Sequence, residues 1–151
     1  MKSFLLLLLT CGFLLGCKSP KNTASSITRI VHGTSYGHCV GYCMSEELYE
    51  GNAIKFRKMS RQEDTNPEKN ESAALSTEDF NTLANSFDFS KFKALPERIG
   101  CPDCADGGAE YIEITTGTET KRVEFEANRD PEGMEKLLKI LRKNREGHFP
   151  E

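Results

Sequence analysis

Tyr111-Ile112-Glu113-Ile114-Thr115 and Val123-Glu124-Phe125-Glu126-Ala127 are the stretches that decide the fold. Ile112 and Ile114 point one way and Tyr111, Glu113 and Thr115 the other. Val123, Phe125 and Ala127 oppose Arg122, Glu124 and Glu126 in the same manner. Period-two alternation of this kind predicts antiparallel strands with one buried and one wet face, and the polar Thr116 to Thr120 is their turn. A second hairpin is expected upstream, where Glu47-Leu48-Tyr49-Glu50 and Ala53-Ile54-Lys55-Phe56-Arg57 flank Gly51-Asn52. Glycine takes positive φ without a Cβ clash, and a two-residue turn sets Tyr49 opposite Ile54. Ile27 to His32 is rich in β-branched residues and reads as a strand that ends at Gly33.

Two helices complete the pattern. Ser76 is placed to cap, Asp79 follows three residues later, and Leu75 and Phe80 occupy the staple positions. Phe80, Leu83, Ala84 and Phe87 then recur at helical spacing, and Phe89, Phe92 and Leu95 extend the apolar series towards Pro96. Asp130-Pro131 predicts a second helix with proline at its first position, buried through Met134, Leu137, Leu138 and Leu141. Ser60 to Ser72 is expected to be a solvated loop. The expected fold class is α+β: a small antiparallel sheet built from hairpins, packed against two helices and stapled by cysteines, forming one domain over residues 27–147.

The N-terminus reads as an address. Lys2 precedes an apolar run, Phe4 to Leu15, that is too short to span a bilayer, for which about 20 apolar residues are needed. The run closes with Leu14-Leu15-Gly16-Cys17, which looks like the lipobox of bacterial lipoproteins. Residues 1–16 are therefore expected to be a lipoprotein signal peptide, with Cys17 taking a diacylglyceryl group and an N-acyl chain such as palmitate. Residues 17–26, polar and aperiodic, are expected to form a flexible tether. Position 18 is Lys, and no acidic run follows Cys17, so the expected location is the periplasmic face of the outer membrane. The 151 residues carry 20 Lys and Arg against 23 Asp and Glu, a formal charge of −3. That balance argues against a nucleic-acid partner, which demands a basic patch to displace phosphate counterions.

Cys39-Val40-Gly41-Tyr42-Cys43 and Cys101-Pro102-Asp103-Cys104 carry the strongest signal outside the address. Four thiolates at these spacings suit a structural zinc site, and the same four suit two disulfides. An exported chain meets an oxidising compartment, which favours disulfides at Cys39, Cys43, Cys101 and Cys104 and no metal. Four cysteines allow three pairings. The chain-entropy argument favours bridges between the two pairs, which close the longer loops. Cys-Pro-Asp-Cys superficially resembles the dithiol of glutaredoxin-like oxidoreductases, but those sit at a helix N-terminus, whereas Ala105-Asp106-Gly107-Gly108 follows here. Asp103 and Asp106 suit a turn better than a calcium loop. His32, His38 and His148 lack metal-ligand spacing, and no catalytic constellation or cofactor motif stands out.

Thr34-Ser35-Tyr36-Gly37-His38-Cys39-Val40-Gly41-Tyr42-Cys43, together with Ile99-Gly100-Cys101-Pro102-Asp103-Cys104-Ala105-Asp106-Gly107-Gly108-Ala109-Glu110, resembles a group of uncharacterised bacterial envelope lipoproteins. The resemblance implies an exported, small α+β protein and supplies no catalytic assignment. The functional expectation is thus a lipid-anchored binding or structural module of the cell envelope, held to the membrane by its anchor and meeting an envelope protein or polymer. The alternative is a thiol-disulfide or metal-dependent enzyme of the periplasm. One wet sheet face, including Tyr111 and Glu113, is the expected contact surface.

Overall fold

The computed structural model describes residues 27–117 and 119–148. The expected signal peptide over 1–16, the expected lipidation site Cys17 and the expected tether over 17–26 lie outside the described residues. Among the described residues no helix is long and apolar enough to cross a membrane.

Among the described residues the sheet has seven strands, built outward from its central strand, β1 (Ile27–Ser35). On one side β2 (Tyr42–Glu50), β3 (Ala53–Ser60) and β4 (Lys69–Ala74) follow as a meander. On the other side come β6 (Ala109–Thr116), β7 (Thr120–Glu126) and the two-residue β5 (Arg98–Ile99). Every pairing is antiparallel except that of β5 with β7. Helices α1 (Thr77–Ala84) and α2 (Phe89–Ala94) precede β5, and α3 (Glu135–His148) closes the chain order. The α+β architecture, antiparallel hairpins packed with helices, is as the alternation predicts. Three helices stand among the described residues where two are expected, because Asp88 caps α2 as a separate helix, its side chain accepting from the Ser90 amide at 2.9 Å.

One face of the sheet is covered. Ile30, Tyr49, Ile54, Phe56, Ile112, Ile114, Val123 and Phe125 share a single apolar cluster with Leu83 and Phe92 and with the Met134, Leu137, Leu138 and Leu141 stripe. Burial of such side chains contributes about 1.5–3 kcal/mol each, and it is what holds α3 to the sheet. Tyr49 stands opposite Ile54, as the Gly51-Asn52 turn requires. Ser76 caps α1, its hydroxyl accepting from the Asp79 amide at 3.0 Å and donating to the Asp79 carboxylate at 2.6 Å.

Three boundaries differ from expectation. Gly33 does not end β1, which runs on to Ser35. Gly33 is needed inside the strand because the ring of Tyr111 crosses it; a Cβ there would lie 2.3 Å from the ring. The Ser60–Ser72 segment is not all loop, since Lys69–Ala74 pairs with β3 as an edge strand. Its Lys-Asn-Glu-Ser composition hides the strand from any hydrophobic pattern and suits an open edge, where charge discourages further pairing. Pro131 does not open α3. Gly133 takes φ 82°, a left-handed turn that no helix passes through, so the helix starts at Glu135.

Candidate functional site

The covered face is apolar along most of its length and polar at one end. In phase with Ile30, β1 also sends His32 and Thr34 inward; β2 sends Glu47 in phase with Tyr49, and β6 sends Glu110 in phase with Ile112 and Ile114. His32 stands directly opposite Glu47, and Glu110 stands opposite Thr34, one diagonal step from His32. All three side chains are within two percent of complete burial.

His32 is bonded at both ring nitrogens, to Glu47 Oε2 at 3.3 Å through Nδ1 and to Glu110 Oε1 at 2.6 Å through Nε2. A ring between two carboxylates donates from both nitrogens only as the imidazolium. Burial pushes His32 down, but the hydrogen bonds and charges of Glu110 and Glu47 outweigh it and hold its pKa above the ordinary value. Glu110 is met again from above: Arg142 of α3 donates Nε to Oε1 at 3.0 Å and Nη2 to Oε2 at 2.7 Å. Burial would raise Glu110, yet the bonds from His32 and Arg142 bring its pKa down to about 2. Arg142 also reaches Asp130 at 2.7 Å, and the Asn128 amide donates to Glu110 Oε2 at 3.3 Å. On the other flank the Tyr49 hydroxyl donates to Glu47 Oε2 at 3.0 Å and accepts from the Asn144 amide at 3.2 Å. Burial, then the Glu47 charge, lift Tyr49 well above the ordinary phenol value.

Above this cluster a polar cleft of about 840 Å³ opens between the sheet and the last turns of α3. Thr34 and Ser45, hydroxyl to hydroxyl at 2.7 Å, share it with Tyr36, Lys58, Asn128 and Arg145. Cys43 also lines it, so the Cys39–Cys43 bridge braces one side.

The cysteines form disulfides within each pair. Cys39–Cys43 and Cys101–Cys104 each have a Cα separation of 5.5 Å, in the range a bridge requires. The expectation of bridges between the pairs is therefore corrected. Each pair flanks a tight turn whose own geometry brings its thiols together, so loop-closure entropy never decides the pairing. The two loops still meet, but through polar contacts: the Gly37 amide donates to Asp103 Oδ1 at 2.9 Å, and His38 lies 3.5 Å from Asp106. Asp103 and Asp106 both take positive φ, so the Asp-Gly-Gly turn reading describes them well. Among the described residues no group of three or more His, Cys, Asp or Glu side chains is arranged to hold a metal ion.

Tyr111 and Glu113 emerge on the open face, as their alternation predicts. Tyr111 donates its hydroxyl to Glu46 Oε2 at 2.6 Å, and Glu113 pairs with Arg29 at 3.3 Å. The buried His32, Glu47 and Glu110 were the residues missed from sequence. Their signal was parity: each is a titratable side chain in the inward phase of a strand whose other inward residues are mostly apolar. The chain matches no protein-family model and no curated protein sequence.

Proposed function

We propose that this chain is a lipid-anchored binding or structural module of the bacterial cell envelope, exported through its Leu14-Leu15-Gly16-Cys17 signal and tethered on the periplasmic side of the outer membrane. The observation that carries the reading is the cleft. It is polar, braced at one side by the Cys39–Cys43 bridge and underlain by the His32–Glu47–Glu110–Arg142 cluster. Polar side chains held by such a supporting layer are presented in fixed positions, which favours selective binding over loose association. The groups best suited to chemistry are engaged internally: the thiols in bridges, and the His32 ring between two carboxylates. The membrane is the first partner, through the anchor on Cys17, and an envelope protein or polymer the second.

Intact mass of the membrane fraction tests the anchor. A mature chain beginning at lipidated Cys17, replaced by soluble or uncleaved protein in Cys17→Ala, is the expected result. Cross-linking in intact envelopes followed by capture of the lipidated protein tests the module. A defined envelope component recovered in proportion to the bait supports it. Turnover of a disulfide substrate by Cys101 and Cys104, lost in Cys101→Ser, would favour a thiol-disulfide enzyme instead.

A further inference from the structure

We infer that the cleft between the covered ends of β1–β3 and the last turns of α3 takes a ligand that presents a carboxylate, with Arg145 as its anchor. The inference rests on the binding-module reading and names the ligand chemistry of that site.

The two cations beneath the cleft are already engaged by carboxylates, while one buried carboxylate oxygen, Glu47 Oε1, has no hydrogen-bond partner among the described residues. His32 and Arg142 face Glu47 and Glu110, and Asp130 lies on the outer side of Arg142. Arg145 is a further cation on the same helix, half-buried, lining the cleft, with an enclosed Nη1 that has no hydrogen-bond partner among the described residues. A guanidinium partly stripped of water gains most from a planar carboxylate, which accepts from two of its N–H groups at once. Lys58 lines the same cleft and adds positive potential.

The uncharged groups suit the same ligand. The Thr34–Ser45 contact uses one hydroxyl proton and leaves the other to donate to an incoming oxygen. Asn128 lines the cleft with φ 61°, a conformation few non-glycine residues adopt, and its amide is held by Glu110. A residue whose backbone amide is fixed by a buried carboxylate at the edge of a cleft is held in position to make a contact there. Glu146, also in the lining, carries the same charge as the carboxylate and opposes it. The cleft volume admits a chain end or a sugar acid.

Amide NMR of the full chain in detergent micelles tests this with two matched pairs: N-acetylglycine against N-acetylglycinamide, and galacturonate against galactose. Saturable shifts at Ser45, Asn128 and Arg145 are expected with the carboxylates and not with their neutral counterparts, and the stronger pair identifies a peptide chain end or a sugar acid. Arg145→Gln should weaken binding about tenfold or more, while Glu146→Gln, which leaves Arg145 in place, should tighten it about twofold. Equal response to charged and neutral probes, or affinity unchanged in both variants, overturns the inference. Envelope capture that persists in Arg145→Gln would then leave the module reading standing without it.

Discussion

The two faces of the sheet use similar side chains under opposite conditions. On the open face a ladder runs across five strands: Arg122 lies 3.5 Å over the Tyr111 ring, Tyr111 crosses Gly33 to reach Glu46, and Arg57 joins Glu46 to Glu68. On the covered face His32, Glu47, Glu110 and Arg142 make an equally continuous chain beneath α3. Water competes for the charged groups of the first ladder, and it is excluded from His32, Glu47 and Glu110 in the second. An exposed pair is worth little because its partners are solvated either way. Once enclosed, each partner of a buried pair becomes indispensable, since removing one strands the charge of the other.

The comparison is sharpest at two glutamates of β6. Glu110→Ala should lower stability by about 3–5 kcal/mol, because it takes the shorter of the two carboxylate bonds from the buried His32 and leaves Arg142 only Asp130. Glu113→Ala, which releases only Arg29, should cost less than about 1 kcal/mol. Urea unfolding reads both, and equal losses would break the distinction between the faces.

The pH dependence comes next. Glu110 falls from an ordinary 4.5 to about 2 in the folded state, so its contribution is complete above about 4.5 and disappears as pH falls towards 2. At about 1.4 kcal/mol per unit, this acid limb amounts to roughly 3 kcal/mol. His32 acts in the opposite sense. Its raised value stabilises the fold below its ordinary 6.5 and loses that contribution as pH rises through the folded value. Stability should therefore peak between about 4.5 and 6.5. His32→Gln should flatten the alkaline fall, and an alkaline limb that persists unchanged would remove the imidazolium from the account.

On the open face the largest effect belongs to sterics. Gly33→Ala places a methyl group into the Tyr111 ring and should cost about 1–3 kcal/mol, most of it recovered in a Tyr111→Ala background. Tyr111→Phe keeps the ring under Arg122 and removes only the bond to Glu46, for about 1 kcal/mol. A loss as large as that of Glu110→Ala would show the open ladder to be energetically buried after all.

What was legible in the sequence was local. The Gly51-Asn52 hairpin, the Ser76–Asp79 capping box and the alternation of β6 and β7 each depend on residues a few positions apart, and each stands where expected. The α3 stripe was legible for the same reason, though its start was not, because Gly133 outweighed the preference of Pro131 for a first turn. Strand β4 was illegible because an edge strand is held by backbone pairing to β3 and has no apolar face to betray it. For the site, the sequence offered the four cysteines and the wet positions Tyr111 and Glu113, whereas the polar cluster required contacts over 15, 78 and 32 residues of chain.

By itself, then, the order of residues determined the α+β class, the hairpin register at Tyr49 and Ile54, and which faces of α1 and α3 turn inward, since each follows from short-range periodicity and turn chemistry. The tertiary structure alone decided how the cysteines pair, that Gly33 lies within a strand under Tyr111, and that His32, Glu47, Glu110 and Arg142 meet beneath a cleft. Those outcomes depend on which strands become neighbours and on how much water the helix excludes, and neither distance nor desolvation is written in any single stretch of the chain.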